Sequence, residues 1–323
     1  MASKYTFLDF AEEILNSAPK PMTYQEIWST GLERGLASKL SISGKTPWQT
    51  LGARLFVEIR DNADTKFMKV GKNPAKFFLV ARKNELTPED LKEAGSSKSL
   101  PARKDSELSF HERKLHSLLA YFAYTNTSFN RGKQVYTKTI FHEKSRHNAL
   151  SEWVHPDMVG FYSPIEDWND KLLEFNKATD KTAIRLYSFE IKKRIDRSNY
   201  REYFFQAVSN SSWANEGYLV AYSVQQQDDL LSELERLAAS FGIGIIILDL
   251  DDIDSSHVLF PAKQKDYLDW ELMNKLCEQN ADFESFISDV LRDFAGRKIH
   301  PSEYEPIIND PEAYIQKIRA EKS

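Results

Sequence analysis

A chain of 323 residues with a net charge of −5 is long enough for two domains with separate cores. Its longest apolar stretch, around Ile243 to Leu250, is too short to span a bilayer, Met1-Ala-Ser-Lys4 lacks the basic-then-apolar pattern of a secretory leader, and the single cysteine, Cys277, excludes an intrachain disulfide, so a cytoplasmic protein is expected. Charge is unevenly spread: residues 1–83 hold 13 Lys/Arg against 8 Asp/Glu, a net of +5, which leaves −10 on the other 240, the asymmetry of a basic docking module joined to a differently employed domain.

Apolar spacing predicts a first helix from Phe7 to Asn16, stopped by Pro19 and Pro21. A second begins at Thr23-Tyr-Gln-Glu26, a capping box, and runs through Ile27, Trp28 and Leu32 to Gly35. A third starts with Thr46 as N-cap and Pro47 in the first turn; its stripe is Trp48, Leu51, Leu55 and Ile59, and its other side offers Gln49, Thr50, Arg54 and Arg60. Two short strands, Lys66–Val70 and Lys76–Ala81, follow around Gly71-Lys-Asn-Pro74. Three helices and a hairpin make a winged helix-turn-helix, whose third helix enters the major groove.

These residues resemble the HARE-HTH family, through Thr6-Phe-Leu-Asp-Phe-Ala-Glu-Glu-Ile-Leu15, Met22-Thr-Tyr-Gln-Glu-Ile-Trp28, Gly44-Lys-Thr-Pro-Trp-Gln-Thr-Leu-Gly-Ala-Arg-Leu55, Phe67-Met-Lys-Val-Gly71 and Phe77-Phe-Leu79. The resemblance covers residues 1–82. It implies a DNA-associated winged helix of the kind found in chromatin regulators and fused to restriction nucleases, with the sensing of modified cytosine as a proposed task. The expected DNA-binding set is Lys45, Thr46, Gln49, Thr50, Arg54, Lys69, Lys72 and Lys76. Its cations serve phosphates, and Gln49 and Thr50 face bases.

Residues 83–107, polar and rich in Ser, Lys and Glu, read as a linker. A second domain, 108–323, opens with a helix from about Ser109 to Tyr124, on whose apolar face Glu112 falls; it either reaches solvent at the stripe edge or turns towards an acidic site. A strand around Gln134–Phe141, a His/Lys/Arg-rich loop at 142–148 and the segment Val154-His-Pro-Asp-Met-Val-Gly160 come next. After a polar loop from Ser163 to Lys181, Ala183–Lys192 alternates as a half-buried strand. Then follow a helix (Tyr200–Ser209), a strand (Tyr218–Ser223), a helix (Asp228–Phe241), a strand (Gly244–Leu250) and a mostly helical end from Leu268. The order αβββαβ, continued by αβ, describes a mixed sheet flanked by helices, so the chain is expected to be α+β with two domains.

In a strand, residues two apart share a face, so Glu190 and Lys192 project side by side. With Asp157 from a neighbouring strand they form a small acidic site with one lysine, suited to a hard cation and to phosphodiester hydrolysis. Pro156-Asp157 and Glu190-Ile-Lys192 in this element order resemble the PD-(D/E)xK nuclease superfamily, in its restriction-endonuclease branch, over roughly Leu108 to Asp251. That resemblance implies Asp157 and Glu190 as ligands of Mg²⁺, with Mn²⁺ able to substitute. It makes Lys192 the group that orients water and stabilises developing charge, with Glu112 and Gln206 in support. Where some members place a tyrosine four positions after such a glutamine, Asn210 stands here. His142, His147 and His155 have no zinc-ligand spacing, and no nucleotide-binding P-loop is present. The expected function is a Mg²⁺-dependent restriction-type endonuclease on double-stranded DNA, directed to 5-methyl- or 5-hydroxymethylcytosine. It would act as a homodimer, because cutting two strands needs two sites. The alternative is a non-cutting DNA-binding regulator that retains a degenerate nuclease fold.

Overall fold

The computed structural model describes residues 5–40, 47–62, 64–70, 75–87, 112–141, 155–179, 183–225, 227–250 and 253–320. The chain is α+β and divides into two compact units, residues 1–109 with 257–260 and residues 110–256 with 261–323.

The first unit holds α1 (Phe7–Leu15), α2 (Tyr24–Glu33), α3 (Pro47–Asp61) and an antiparallel hairpin of β1 (Phe67–Val70) and β2 (Lys76–Leu79). Two capping boxes start the first two helices. Thr6 accepts from the Asp9 amide and the Asp9 carboxylate accepts from the Thr6 amide; Thr23 and Glu26 do the same. Each box satisfies two helix-end donors that would otherwise lack partners. Phe10, Ile14, Ile27, Leu51, Leu55 and Phe77 are fully buried in one cluster. Met22 and Phe77 exchange backbone hydrogen bonds (3.1 and 2.7 Å) and tie the hairpin to the entry of α2. The two helices α1 and α2 approach closely at Gly31, where an added Cβ would lie 2.0 Å from Cζ of Phe10. Gly31→Ala is therefore expected to destabilise the protein by roughly 2 kcal/mol, because overpacking against a fully buried ring outweighs the helix propensity gained. An unchanged denaturant midpoint would show that the helix pair opens without cost.

The second unit begins with α4 (Lys114–Thr125) and α5 (Thr127–Asn130). Then come β3 (Tyr136–Thr139), β4 (Met158–Tyr162), α6 (Asp170–Ala178), β5 (Arg185–Ile195), α7 (Tyr200–Asn210), β6 (Glu216–Val224), α8 (Asp228–Phe241) and β7 (Gly244–Ile247). The unit ends with α9 (Trp270–Gln279), α10 (Ala281–Gly296) and α11 (Pro311–Ala320), while β8 (His257–Phe260) is counted with the first unit. Within this unit the strands lie in the order β3-β4-β5-β6-β7. The β3/β4 and β4/β5 pairs are antiparallel and the β5/β6 and β6/β7 pairs parallel, so β5 sits where the sheet changes sense. All five residues of β4 and all four of β7 are buried, as expected of strands covered on both faces. Alternation along β5 splits its side chains: Tyr187 stacks on Phe189 and Phe189 on Tyr218, with Phe129 tilted against both Tyr187 and Phe189, while Ser188, Glu190 and Lys192 belong to the opposite face.

Two expectations change. The polar stretch 163–181, expected as a loop, contains α6. Glu112, expected on the stripe of the first helix, lies in the turn ahead of α4, where its carbonyl accepts from the Leu115 amide at 2.9 Å.

Asp293 on α10 is fully buried and accepts from the Tyr304 hydroxyl (2.8 Å), the His300 amide (3.1 Å) and His300 Nδ1 (2.6 Å). Burial disfavours its charge, but the bonds from His300 and Tyr304 outweigh burial and hold the carboxyl below its ordinary value. A carboxyl lowered on folding stabilises the native state above the unfolded pKa of about 4 and loses that contribution as pH falls through the folded value. Asp293→Ala is expected to cost about 3 kcal/mol, since it leaves buried donors unpaired. It should also flatten the decline in stability below pH 4, read from thermal midpoints between pH 2.5 and 7. A variant with the same acid profile as wild type would remove Asp293 as its source.

Candidate active site and nucleic-acid interface

The site is assembled where β4 begins and β5 runs on past it. Register pairs Met158 with Phe189, so beyond it β5 runs on without a β4 partner. Asp157, just before β4, supplies one: its Oδ2 accepts from the Ile191 amide at 2.7 Å. Glu112 accepts from the Lys193 amide. Two carboxylates thus satisfy successive amides on the same side of β5 and are drawn to the stretch that carries Glu190 and Lys192.

Glu190 is 5 % exposed. Its Oε1 lies 2.8 Å from Lys192 Nζ, and its Oε2 accepts from Asn210 Nδ2 at 2.8 Å. Burial, and next the charge of Asp157, push the Glu190 carboxyl up to about 7, against the pull of Lys192 and Asn210. Burial likewise raises Glu112, with Asp157 adding to it and Lys192 opposing it. For Lys192, burial works against the ammonium, but Glu190, Asp157 and Glu112 outweigh it and its pKa rises. The four groups therefore sense one another, with more negative charge than one lysine balances.

Helix α7 covers this face. Tyr203, Gln206 and Asn210 fall within one stripe at helical spacing. The Lys192 ammonium stands 5.2 Å from the centre of the Tyr203 ring, Asn210 binds Glu190, and Gln206 has a buried Oε1 with no hydrogen-bond partner among the described residues. The structure thus brings together Asp157, Glu190, Lys192 and Glu112, with Gln206 on the covering stripe. Sequence reasoning missed Tyr203 and treated Asn210 only as a departure from a motif; the signal available was their i, i+3, i+7 spacing around Gln206. His155 is buried, and His142 and His147 lie outside the described residues.

A divalent cation fits the donors: oxygen ligands only, and carboxylates whose ionised forms burial and mutual repulsion disfavour. Among the described residues no group of three or more His, Cys, Asp or Glu has metal-holding spacing. Mg²⁺ needs only one or two carboxylates when water and substrate phosphate complete its shell.

In the N-terminal unit, α3 follows α2 as the third helix and the β1–β2 hairpin follows α3, the order of a winged helix-turn-helix. Residues 5–78 match the HARE-HTH family, whose description includes ASXL and restriction endonuclease HTH domains. Residues 5–78 are a HARE-HTH domain. The family implies DNA binding. No curated protein and no solved structure matches the chain, and no described helix is long and apolar enough to cross a membrane.

Within the HARE-HTH domain, Lys45, Thr46 and Lys72 lie outside the described residues, and Gln49 is placed on α3 by its backbone alone. Arg54 is half-buried, its guanidinium 5.9 Å from the Phe7 ring centre, and Lys76 is half-buried at the start of β2. Thr50 and Lys69 are corrections: each is 8 % exposed. Register places Lys69 opposite Phe77, on the side of the hairpin that packs into the helical core, where its aliphatic stem covers apolar surface. Thr50 is adjacent in sequence to buried Leu51 on a helix that buries more than one face, Gly52 lying under the Tyr24 ring. Neither is on an open face.

Proposed function

We propose that this chain is a metal-dependent endonuclease of restriction type, with its HARE-HTH domain bringing it to double-stranded DNA. The observation that carries this reading is the meeting of Asp157, Glu190 and Lys192 at one stretch of β5, with Glu112 bonded to the Lys193 amide. A solvated strand face would not gather three carboxylates, one of them buried, around a half-buried lysine, because burying like charges is costly.

A phosphodiester resists hydroxide because its own charge repels the nucleophile. Asp157 and Glu190 would hold Mg²⁺, with Mn²⁺ as substitute; bound there, the cation neutralises phosphate charge and acidifies water. Lys192 contributes a fixed positive charge, kept protonated by its carboxylate neighbours and steered by Glu190, for the negative charge that develops on the phosphoryl oxygens. Glu112 adds to the negative field and anchors β5 through the Lys193 amide. Gln206 offers an amide on the covering stripe that can bind water or a phosphate oxygen.

The HARE-HTH domain supports a target chosen by base modification, 5-methyl- or 5-hydroxymethylcytosine, and two-strand cleavage supports a homodimer. The test is digestion of duplexes that differ only in cytosine, 5-methylcytosine or 5-hydroxymethylcytosine, with Mg²⁺ or Mn²⁺, beside Asp157→Ala. Metal-dependent cuts by the wild type alone are expected, favouring a modified duplex. Binding without cleavage on every duplex would make the protein a DNA-binding regulator instead.

A further inference from the structure

Asn210 is the last residue of α7 and only 6 % exposed. Its carbonyl accepts from the Ser188 hydroxyl (2.8 Å) and Trp213 Nε1 (2.9 Å), which fixes the backbone. Its side-chain nitrogen donates twice, to Glu190 Oε2 at 2.8 Å and to the His155 carbonyl at 3.1 Å. The His155 carbonyl carries no hydrogen, so the amide has one permitted orientation: turned over, its oxygen would face that carbonyl. Oδ1 is consequently an oriented, buried acceptor with no partner among the described residues. A water is the natural complement of such an atom.

The two donations have separate targets. One restrains the Glu190 carboxylate. The other restrains the backbone two residues ahead of Asp157, whose own carboxylate is bonded to the Ile191 amide. One side chain therefore links the segments that carry both carboxylates, which are far apart in sequence and meet just beyond the first β4–β5 pair.

We propose that Asn210 is a positioning residue: by donating to Glu190 and to the His155 carbonyl it sets the spacing of the Asp157 and Glu190 carboxylates, and so the affinity of that pair for a divalent cation. This rests on the reading of Asp157 and Glu190 as cation ligands, but adds a residue that touches neither the scissile phosphate nor the cation.

The experiment is calorimetric titration of the full chain with Mn²⁺ in the absence of DNA, for wild type, Asp157→Ala, Asn210→Ala and Asn210→Ser, with thermal melts to verify folding. Asp157→Ala is expected to abolish binding. Asn210→Ala should weaken it about 10- to 100-fold, the usual effect of losing a group that orients a ligand. Asn210→Ser, with one hydroxyl donor for two acceptors, should fall between. A folded Asn210→Ala that binds Mn²⁺ as wild type does, while Asp157→Ala does not bind, overturns the positioning role and leaves the endonuclease reading standing. An Asp157→Ala chain that binds Mn²⁺ as well as wild type overturns both. Should neither Asn210 variant fold, hydrogen exchange at the Asn210 side-chain amide of the wild type decides: slower exchange on adding Mg²⁺ is expected, and unchanged exchange overturns the proposal.

Discussion

Asp157→Ala and Lys192→Ala should each slow Mg²⁺-dependent cleavage of duplex DNA by at least about a hundredfold, the scale on which loss of one charge-stabilising group is felt. The two variants should differ in stability. Asp157 gives the Ile191 amide its partner, at the point where β5 outruns β4, and a small shift in that backbone can be absorbed. Lys192 is the cation beside Glu190, a carboxylate that is itself 5 % exposed. Removing the half-buried lysine leaves the buried carboxylate uncompensated, at roughly 3 kcal/mol. Lys192→Met combined with Glu190→Gln removes both charges at nearly constant volume and should recover much of the stability without recovering cleavage. That double variant separates chemistry from folding. Cleavage by the double variant at the wild-type rate would remove both residues from the reaction.

Binding by the HARE-HTH domain should be steeply salt-dependent, and replacing Lys72 and Lys76 together with Ala should lower the slope of log affinity against log salt by roughly 2, since each phosphate contact contributes about 0.9. Fluorescence anisotropy with a fixed duplex, over a salt series from about 50 to 300 mM, measures it. The loss should be nearly equal on modified and plain DNA, because phosphate contacts carry no base information. Arg54→Ala should reduce affinity as well, but its stacking over Phe7 adds a packing loss visible in the melting curve. A slope that does not change in the Lys72/Lys76 variant would take the wing out of the interface.

Much of this arrangement is legible in the residues, and the parts that are not have specific causes. The capping box of Thr23 and Glu26 depends on local spacing alone and forms as expected. Glu190 and Lys192 share a face because a strand has a period of two. What spacing cannot supply is register. That Asp157 arrives beside Ile191 follows from pairing Met158 with Phe189, a contact between segments far apart in the chain. The same limit applies to Lys69, whose inward direction depends on which hairpin face meets the helices. Spacing puts Asn210 on the stripe of Tyr203 and Gln206, but its partners are not legible from spacing: its amide acts only because the end of α7 docks over β5. Helix α6 was missed because its apolar residues do not report its inner face; Phe175 is 65 % and Leu172 46 % exposed, and only Leu173 is buried. The usable signal was Asn169, whose side chain accepts from the Lys171 amide at 2.9 Å, just ahead of Asp170 in the first turn.

The position of β5 at the change of sheet sense also governs when the site can exist. Its antiparallel neighbour β4 precedes it in the chain, but its parallel neighbour β6 follows only after the crossover through α7. A growing polypeptide that has just released Lys192 contains Glu112, Asp157, Glu190 and the lysine, yet lacks both Asn210 and the strand that closes the other side of β5. The assembly must wait for long-range pairings, which form slowly because loop closure has to precede them. A side-chain cluster built this way stays unassembled until the fold around residues 185–224 has closed.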